Sequence, residues 1–299
     1  MNPPKTGTEP AECGFGTRLR SVVAVRGALC VGIDAHPELL HRWGCSDDVG
    51  GVERFALEAV EALGPVAAVI KPQSAFFERY GSRGIAVLER VLVAARQAGA
   101  LVLLDVKRGD IGSTMAGYAA AYLSDGAPLA ADAITLAPYL GIGALDPAFE
   151  LAGRTGRGVF VLALTSNPEG IAVQSAMTGT GTTVAQSVVD AVAARNAGRH
   201  PVGDFGVVLG ATAPVETLRL DELNGPILAP GIGAQGARVR DVRDVFGTAA
   251  PHVVPSISRE LLAHGPQPES LRRAALRVAD EAASLLHPGC GRSAGIPPG

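Results

Sequence analysis

Eight short, uniformly apolar runs recur along the chain, and a helical pattern follows each. They cover residues 28–34, 66–71, 101–105, 131–135, 159–165, 205–210, 226–229 and 252–256. A strand wetted on one face alternates polar and apolar residues. These runs do not alternate, so both faces are covered, as in a parallel sheet flanked by helices. Their ends fall roughly 32 residues apart on average, about the length of one βα repeat. Eight such units predict an α/β fold, a (β/α)8 TIM barrel. An open doubly wound sheet shares the local alternation and is the alternative.

Between the runs, segments 52–63 and 84–98 repeat apolar residues at i, i+3, i+4 and i+7, the pattern of a helix with one buried face. A last helix is expected over 268–286. No linker-like stretch divides the chain, so it reads as one domain over 14–287. The Pro- and Gly-rich ends, 1–13 and 288–299, are expected to be flexible tails. Apolar residues make up 47% of the chain, enough for a buried core. A net charge of -3 argues against a partner such as a nucleic-acid polymer. The richest apolar stretch, 86–106, carries Glu89, Arg90, Arg96 and Asp105, so no membrane span is expected. The N-terminal residues lack the apolar core of a secretory signal. Cys13, Cys30, Cys45 and Cys290 form no CxxC pair, which fits a reducing, cytoplasmic setting.

In a barrel the chemistry gathers where strands end, at the C-terminal face. The polar residues there are Asp34, Lys71, Asp105, Lys107, Asp110, Thr165, Ser166 and Arg259. The densest group is LLDVKRGDIGST, residues 103–114. Asp105 and Lys107 are two apart, so on an extended segment they face one side. Asp110 and Thr114 are four apart and share a face if the next helix has begun. A charged lysine held at a barrel mouth can act as a proton donor. Asp34 could instead cap the turn before Pro37. The six His residues show no metal-ligand spacing, Trp43 reads as packing, and no metal or cofactor motif stands out.

PGIGAQG, residues 230–236, formally matches the dinucleotide fingerprint through Gly231, Gly233 and Gly236. That fingerprint needs an acidic residue at the end of the next strand, where Ser256 stands instead. A phosphate cradle fits better, because barrels bind phosphate with the loops after strands seven and eight. Arg259, near a helix start after the eighth run, would complete the anion site. Residues 174–183, rich in Gly and Thr, follow TSNPEG and read as a lid or as a mobile surface loop.

LLDVKRGDIGST resembles the D-x-K-x-x-D-I signature of the orotidine 5′-phosphate decarboxylase family. VLALTSNPEG, VVLGAT and LAPGIGAQG resemble its bacterial subgroup with a short phosphate loop. The resemblance runs from Asp34 to Arg259. It implies cofactor-free decarboxylation of orotidine 5′-monophosphate to uridine 5′-monophosphate in pyrimidine biosynthesis. Lys107 would protonate the C6 carbanion, with Asp105 and Asp110 flanking it. Asp34 and Lys71 would hold ribose hydroxyls, and Lys71 would extend the charge network. Ser166, with Thr165, would contact the pyrimidine, Gln235 would bridge base and phosphate, and Arg259 would bind the phosphate. Asp110 and Thr114 would enter the neighbouring subunit's site, implying a homodimer. Metal-assisted relatives share the D-x-K-x-x-D pattern but carry an acid where Lys71 stands. A non-catalytic phosphate-ligand binder is the third possibility.

Overall fold

A computed structural model describes residues 13–233 and 236–286. Eight parallel strands close into a barrel in sequential order, with β8 pairing back onto β1. They are β1 Cys30–Ile33, β2 Val69–Pro72, β3 Leu101–Arg108, β4 Ala133–Leu136, β5 Gly158–Leu164, β6 Phe205–Leu209, β7 Ile227–Pro230 and β8 Val253–Ile257. Each lies within or beside one of the eight apolar runs. The open doubly wound alternative is therefore set aside, because a closed ladder leaves no edge strands. The helices expected over 52–63, 84–98 and 268–286 appear as Val49–Leu63, Gly81–Gln97 and Pro268–Leu286. The first of these starts earlier because Asp48 caps it, its side chain accepting from Gly51 N at 2.8 Å.

Two apolar layers hold the barrel. Strand residues such as Val31, Ile70, Val102, Leu104 and Ile134 point outward and pack against the helices. Their neighbours Cys30, Val69, Leu101, Leu103, Ala133, Phe160, Val208, Leu228 and Val254 fill the interior. This two-residue period is the pleat of each strand. The helix Phe15–Arg26 closes the N-terminal end by inserting Phe15 and Leu19 into the interior cluster. Phe15 meets Phe160 edge-on, with ring centroids 5.8 Å apart. Gly158 leaves room for that plug, since a Cβ there would collide with the Phe15 ring. The bottom is thus sealed by side chains, and the C-terminal mouth stays open. Trp43 is packing, as expected: it is buried against Phe55, and its indole N–H donates to Leu262 O at 3.0 Å.

Two local expectations are corrected. β3 runs past Asp105 to Arg108, and its register against β4 shifts. Leu104 pairs with Ile134 and Arg108 with Leu136, so residues 105, 106 and 107 face Thr135 alone. This bulge places Lys107 at φ 47°, a left-handed backbone that side chains rarely adopt. Second, the next helix starts at Gly112, with Ile111 as its N-cap. Asp110 therefore precedes the helix and does not share a helical face with Thr114. The expected tails lie outside the described residues, apart from Cys13.

Candidate active site

The pleat that fills the interior also selects the site. Two residues beyond an interior position comes the next inward position, one layer nearer the mouth. From Val69 this step reaches Lys71, from Leu103 Asp105, from Ala133 Thr135, and from Val254 Ser256. All four line one cavity of about 320 Å³ at the C-terminal mouth, with Asp34, His36, Lys107, Thr165, Gly231 and Arg259. Its size suits a small organic ligand.

Charge alternates across the cavity floor. Asp105 Oδ2 accepts from Lys107 Nζ at 2.6 Å and from Lys71 Nζ at 3.2 Å. Asp105 Oδ1 accepts from the Thr135 hydroxyl at 2.7 Å. Lys71 and Asp105 are buried, whereas the Lys107 side chain is 45% exposed and faces the cavity. Burial by itself would lower the Lys71 pKa, but the charges of Asp105 and Asp34 outweigh it and hold the group raised. Burial pushes Asp105 up, yet Lys71 and Lys107 hold its carboxyl well below the usual carboxylate range. The floor is therefore ammonium, carboxylate, ammonium, with a third polar contact fixing the carboxylate plane.

Asp34 makes no cap. Its Oδ1 is buried with no hydrogen-bond partner, and so is Ser258 Oγ. Both residues line the cavity. Buried acceptors without partners cost free energy, and a ligand hydroxyl would satisfy them. Gly231 lines the cavity, while Gly233 and Gly236, further along the same loop, do not; the three adopt φ of 99°, 82° and 95°, which only glycine takes without strain. Gly233 N donates to Ala237 O at 2.8 Å, folding the loop into a compact turn. Arg259 is exposed at the start of the short helix after β8 and lines the cavity beside Gly231. Gln235 lies outside the described residues.

Thr165 lines the cavity, and Ser166 sits one residue beyond, against Gly210. The segment 174–183 is more ordered than a loose loop. Gln174 Oε1 accepts from Thr165 N at 2.9 Å, and its Nε2 donates to the Thr165 hydroxyl at 2.7 Å. Met177 and Thr183 form an antiparallel bridge, and Thr183 caps the helix Val184–Asn196. Asp110 and Thr114 do not line the cavity. Asp110 Oδ1 accepts from Ile111 N at 2.8 Å, and Thr114 is exposed. Within one chain, then, Asp105 flanks Lys107 but Asp110 is not brought to it.

Residues in or next to the cavity that were not candidates include Thr135, His36 and Gln174. Thr135 lies one residue before the end of β4 and ends the fourth apolar run; the two-residue step from Ala133 would have found it. His36, which showed no metal-ligand spacing, lines the cavity and packs edge-on against Phe76. Gln174, read only as part of a lid, anchors that segment to the end of β5. Among the described residues, no three His, Cys, Asp or Glu side chains are grouped to hold a metal ion. No described helix is long and apolar enough to cross a membrane.

A closed (β/α)8 barrel with a Lys–Asp–Lys array at its mouth and a glycine-rich turn beside an arginine defines a class of barrel enzymes that act on phosphorylated ligands. Residues 27–274 match the sequence model of the orotidine 5′-phosphate decarboxylase / HUMPS family, and the chain belongs to that family. An orotidine 5′-phosphate decarboxylase of Salinispora tropica is 60% identical over 272 residues, covering 91% of this chain and 98% of that protein. The Streptomyces coelicolor enzyme of the same name is 56% identical over 267 residues, covering 89% of this chain and 96% of its own length. A crystal structure from Streptomyces avermitilis, assigned to the same activity, superposes with a TM-score of 0.90 at 54% identity, covering 95% of this chain and 99% of that one.

Proposed function

We propose that this chain is the carboxy-lyase that converts orotidine 5′-monophosphate to uridine 5′-monophosphate and carbon dioxide, using only its own side chains. The observation that carries the mechanism is the shared Asp105 Oδ2, which holds Lys107 and Lys71 together at the cavity floor. Breaking the bond from C6 to the carboxylate leaves an electron pair on C6. A fixed ammonium beside that carbon stabilises the developing charge, because it is in place before the reaction and needs no reorganisation. Lys107 then gives its proton to C6, carbon dioxide leaves, and solvent reprotonates the amine. Asp105, held ionised, positions the ammonium and crowds the substrate carboxylate.

The rest of the cavity divides between binding tasks. Asp34, with its partnerless Oδ1, and Lys71 hold ribose hydroxyls. Gly231, Gly233 and Arg259 take the phosphate, with Gln235 bridging to the base, and Thr165 with Ser166 meets the pyrimidine. Binding energy from the phosphate, remote from C6, is available to strain the reacting carboxylate. Asp110 and Thr114 serve the neighbouring subunit of a homodimer. In support, Ile111, next to Asp110 in sequence, is 61% exposed, and Tyr139 and Leu140 after β4 are 83% and 54% exposed, large apolar side chains of the kind that mark interaction sites when they gather. The domain spans residues 14–287 in the cytoplasm.

The test is loss of orotate absorbance when the purified protein meets orotidine 5′-monophosphate in the presence of a chelator. Undiminished turnover is expected. Turnover that needs an added divalent metal would overturn the mechanism. Tight uridine 5′-monophosphate binding with no turnover would make the chain a binder rather than an enzyme.

A further inference from the structure

Thr135 occupies an unusual place in the ladder. Three residues of β3, 105 to 107, face this one residue of β4. A bulge of that kind breaks the backbone ladder, and a buried N–H needs another acceptor. The Lys107 N–H finds it in the Thr135 side chain, donating to Oγ1 at 3.0 Å. The same hydroxyl passes its own proton to Asp105 Oδ1 at 2.7 Å. Thr135 is 1% exposed, so neither bond is shared with bulk water.

We infer that Thr135 is a positioning residue for the proposed decarboxylation: its hydroxyl replaces the missing ladder acceptor, sets the backbone of Lys107, and fixes the carboxylate plane of Asp105. One oxygen thus ties the donor lysine's main chain to the carboxylate that holds its ammonium. With Oδ1 occupied by Thr135, Oδ2 is the oxygen presented to both lysines. The neighbouring turns support the same geometry. Ala137 N donates to Arg108 O at 2.8 Å, and Gly109 lies so close to Ala137 O that a Cβ would collide with it. Those contacts hold the chain after Lys107, and Thr135 holds it at Lys107 itself.

The inference rests on the proposed reaction, and its test separates the two. The wild type is first shown to consume orotidine 5′-monophosphate; failure there overturns the reaction rather than the role of Thr135. Thr135→Val and Thr135→Ser are then compared by kcat, KM and uridine 5′-monophosphate binding. Displacing a reacting group by about 1 Å costs on the order of 100-fold in rate. Thr135→Val is expected to lose about 10- to 100-fold in kcat, with KM and product affinity within about threefold, and Thr135→Ser is expected to recover most of the loss. A wild-type kcat in Thr135→Val, or a Ser variant as impaired as the Val one, would overturn the inference. If Thr135→Val does not fold, Thr135→Ala and Thr135→Ser, which differ by the one oxygen, carry the comparison. Equal kcat in that pair counts against the inference, and a kcat at least tenfold higher in Ser supports it.

Discussion

Lys107 Nζ lies 2.6 Å from Asp105 Oδ2, and the backbone of Lys107 stands at φ 47°. The contact and the strain belong together. A regular β3 would carry Lys107 on in the ladder, whereas the bulge lifts it above the carboxylate and into the cavity. Left-handed backbone costs a residue with a Cβ roughly 1–2 kcal/mol, so the surrounding fold must hold the conformation in place.

That strain predicts an inversion of the usual helix and strand scales. Lys107→Gly and Lys107→Ala both lose the ammonium, but only Ala retains the Cβ clash. The Gly variant is expected to be more stable by about 1 kcal/mol in urea unfolding, after allowing for its larger unfolded-state entropy. Equal midpoints would place the chain at Lys107 in an ordinary strand.

The buried charges set the pH limits of stability. Asp105 is held below the usual carboxylate range, so its contribution is present above about pH 4 and is lost as the pH falls toward its folded value. Lys71 is raised, so its contribution is present below about pH 10 and is lost as the pH rises further. From these two groups a plateau is expected between about pH 5 and 9, with an acid limb that is shallower in Asp105→Asn. Unfolding midpoints across pH check this, and an acid limb as steep in Asp105→Asn as in the parent would remove Asp105 as its source.

The proposed sharing of sites between subunits predicts complementation. Lys107→Ala and Asp110→Ala homodimers should each be inactive if Asp110 serves the partner. Random remixing makes about half the dimers hybrid, each with one intact site, so about a quarter of wild-type activity should return. No recovery on co-refolding would confine Asp110 to its own chain.

The barrel was legible because each of its strands is covered on both faces. Runs such as 66–71 and 101–105 therefore stay apolar throughout, and their charged ends stand out. Lys71, Asp105 and Lys107 were found that way. The bulge was not legible, since nothing in the residue types of 105–108 announces a left-handed lysine; it arises from register against β4. The start of the helix at Gly112 was left open for a related reason, as Ile111 is a weak N-cap. Thr135 was not among the candidates although it ends the fourth apolar run, and its parity with Ala133 points it inward. The order in 174–183 comes from Gln174 reaching back to Thr165, a contact nine residues apart that composition does not reveal. The proposed sharing of Asp110 and Thr114 with a second chain concerns a face that one sequence encodes only indirectly, through exposed apolar residues such as Ile111.

The central claim is that the Lys107 ammonium supplies both the charge that stabilises C6 and the proton that ends the reaction. Turnover of orotidine 5′-monophosphate by Lys107→Ala, with uridine 5′-monophosphate binding as the control for an intact cavity, tests it directly. A fall in kcat of at least about 1000-fold with binding retained is predicted, from the combined loss of a proton donor and a preorganised charge. A kcat within tenfold of the parent would contradict it.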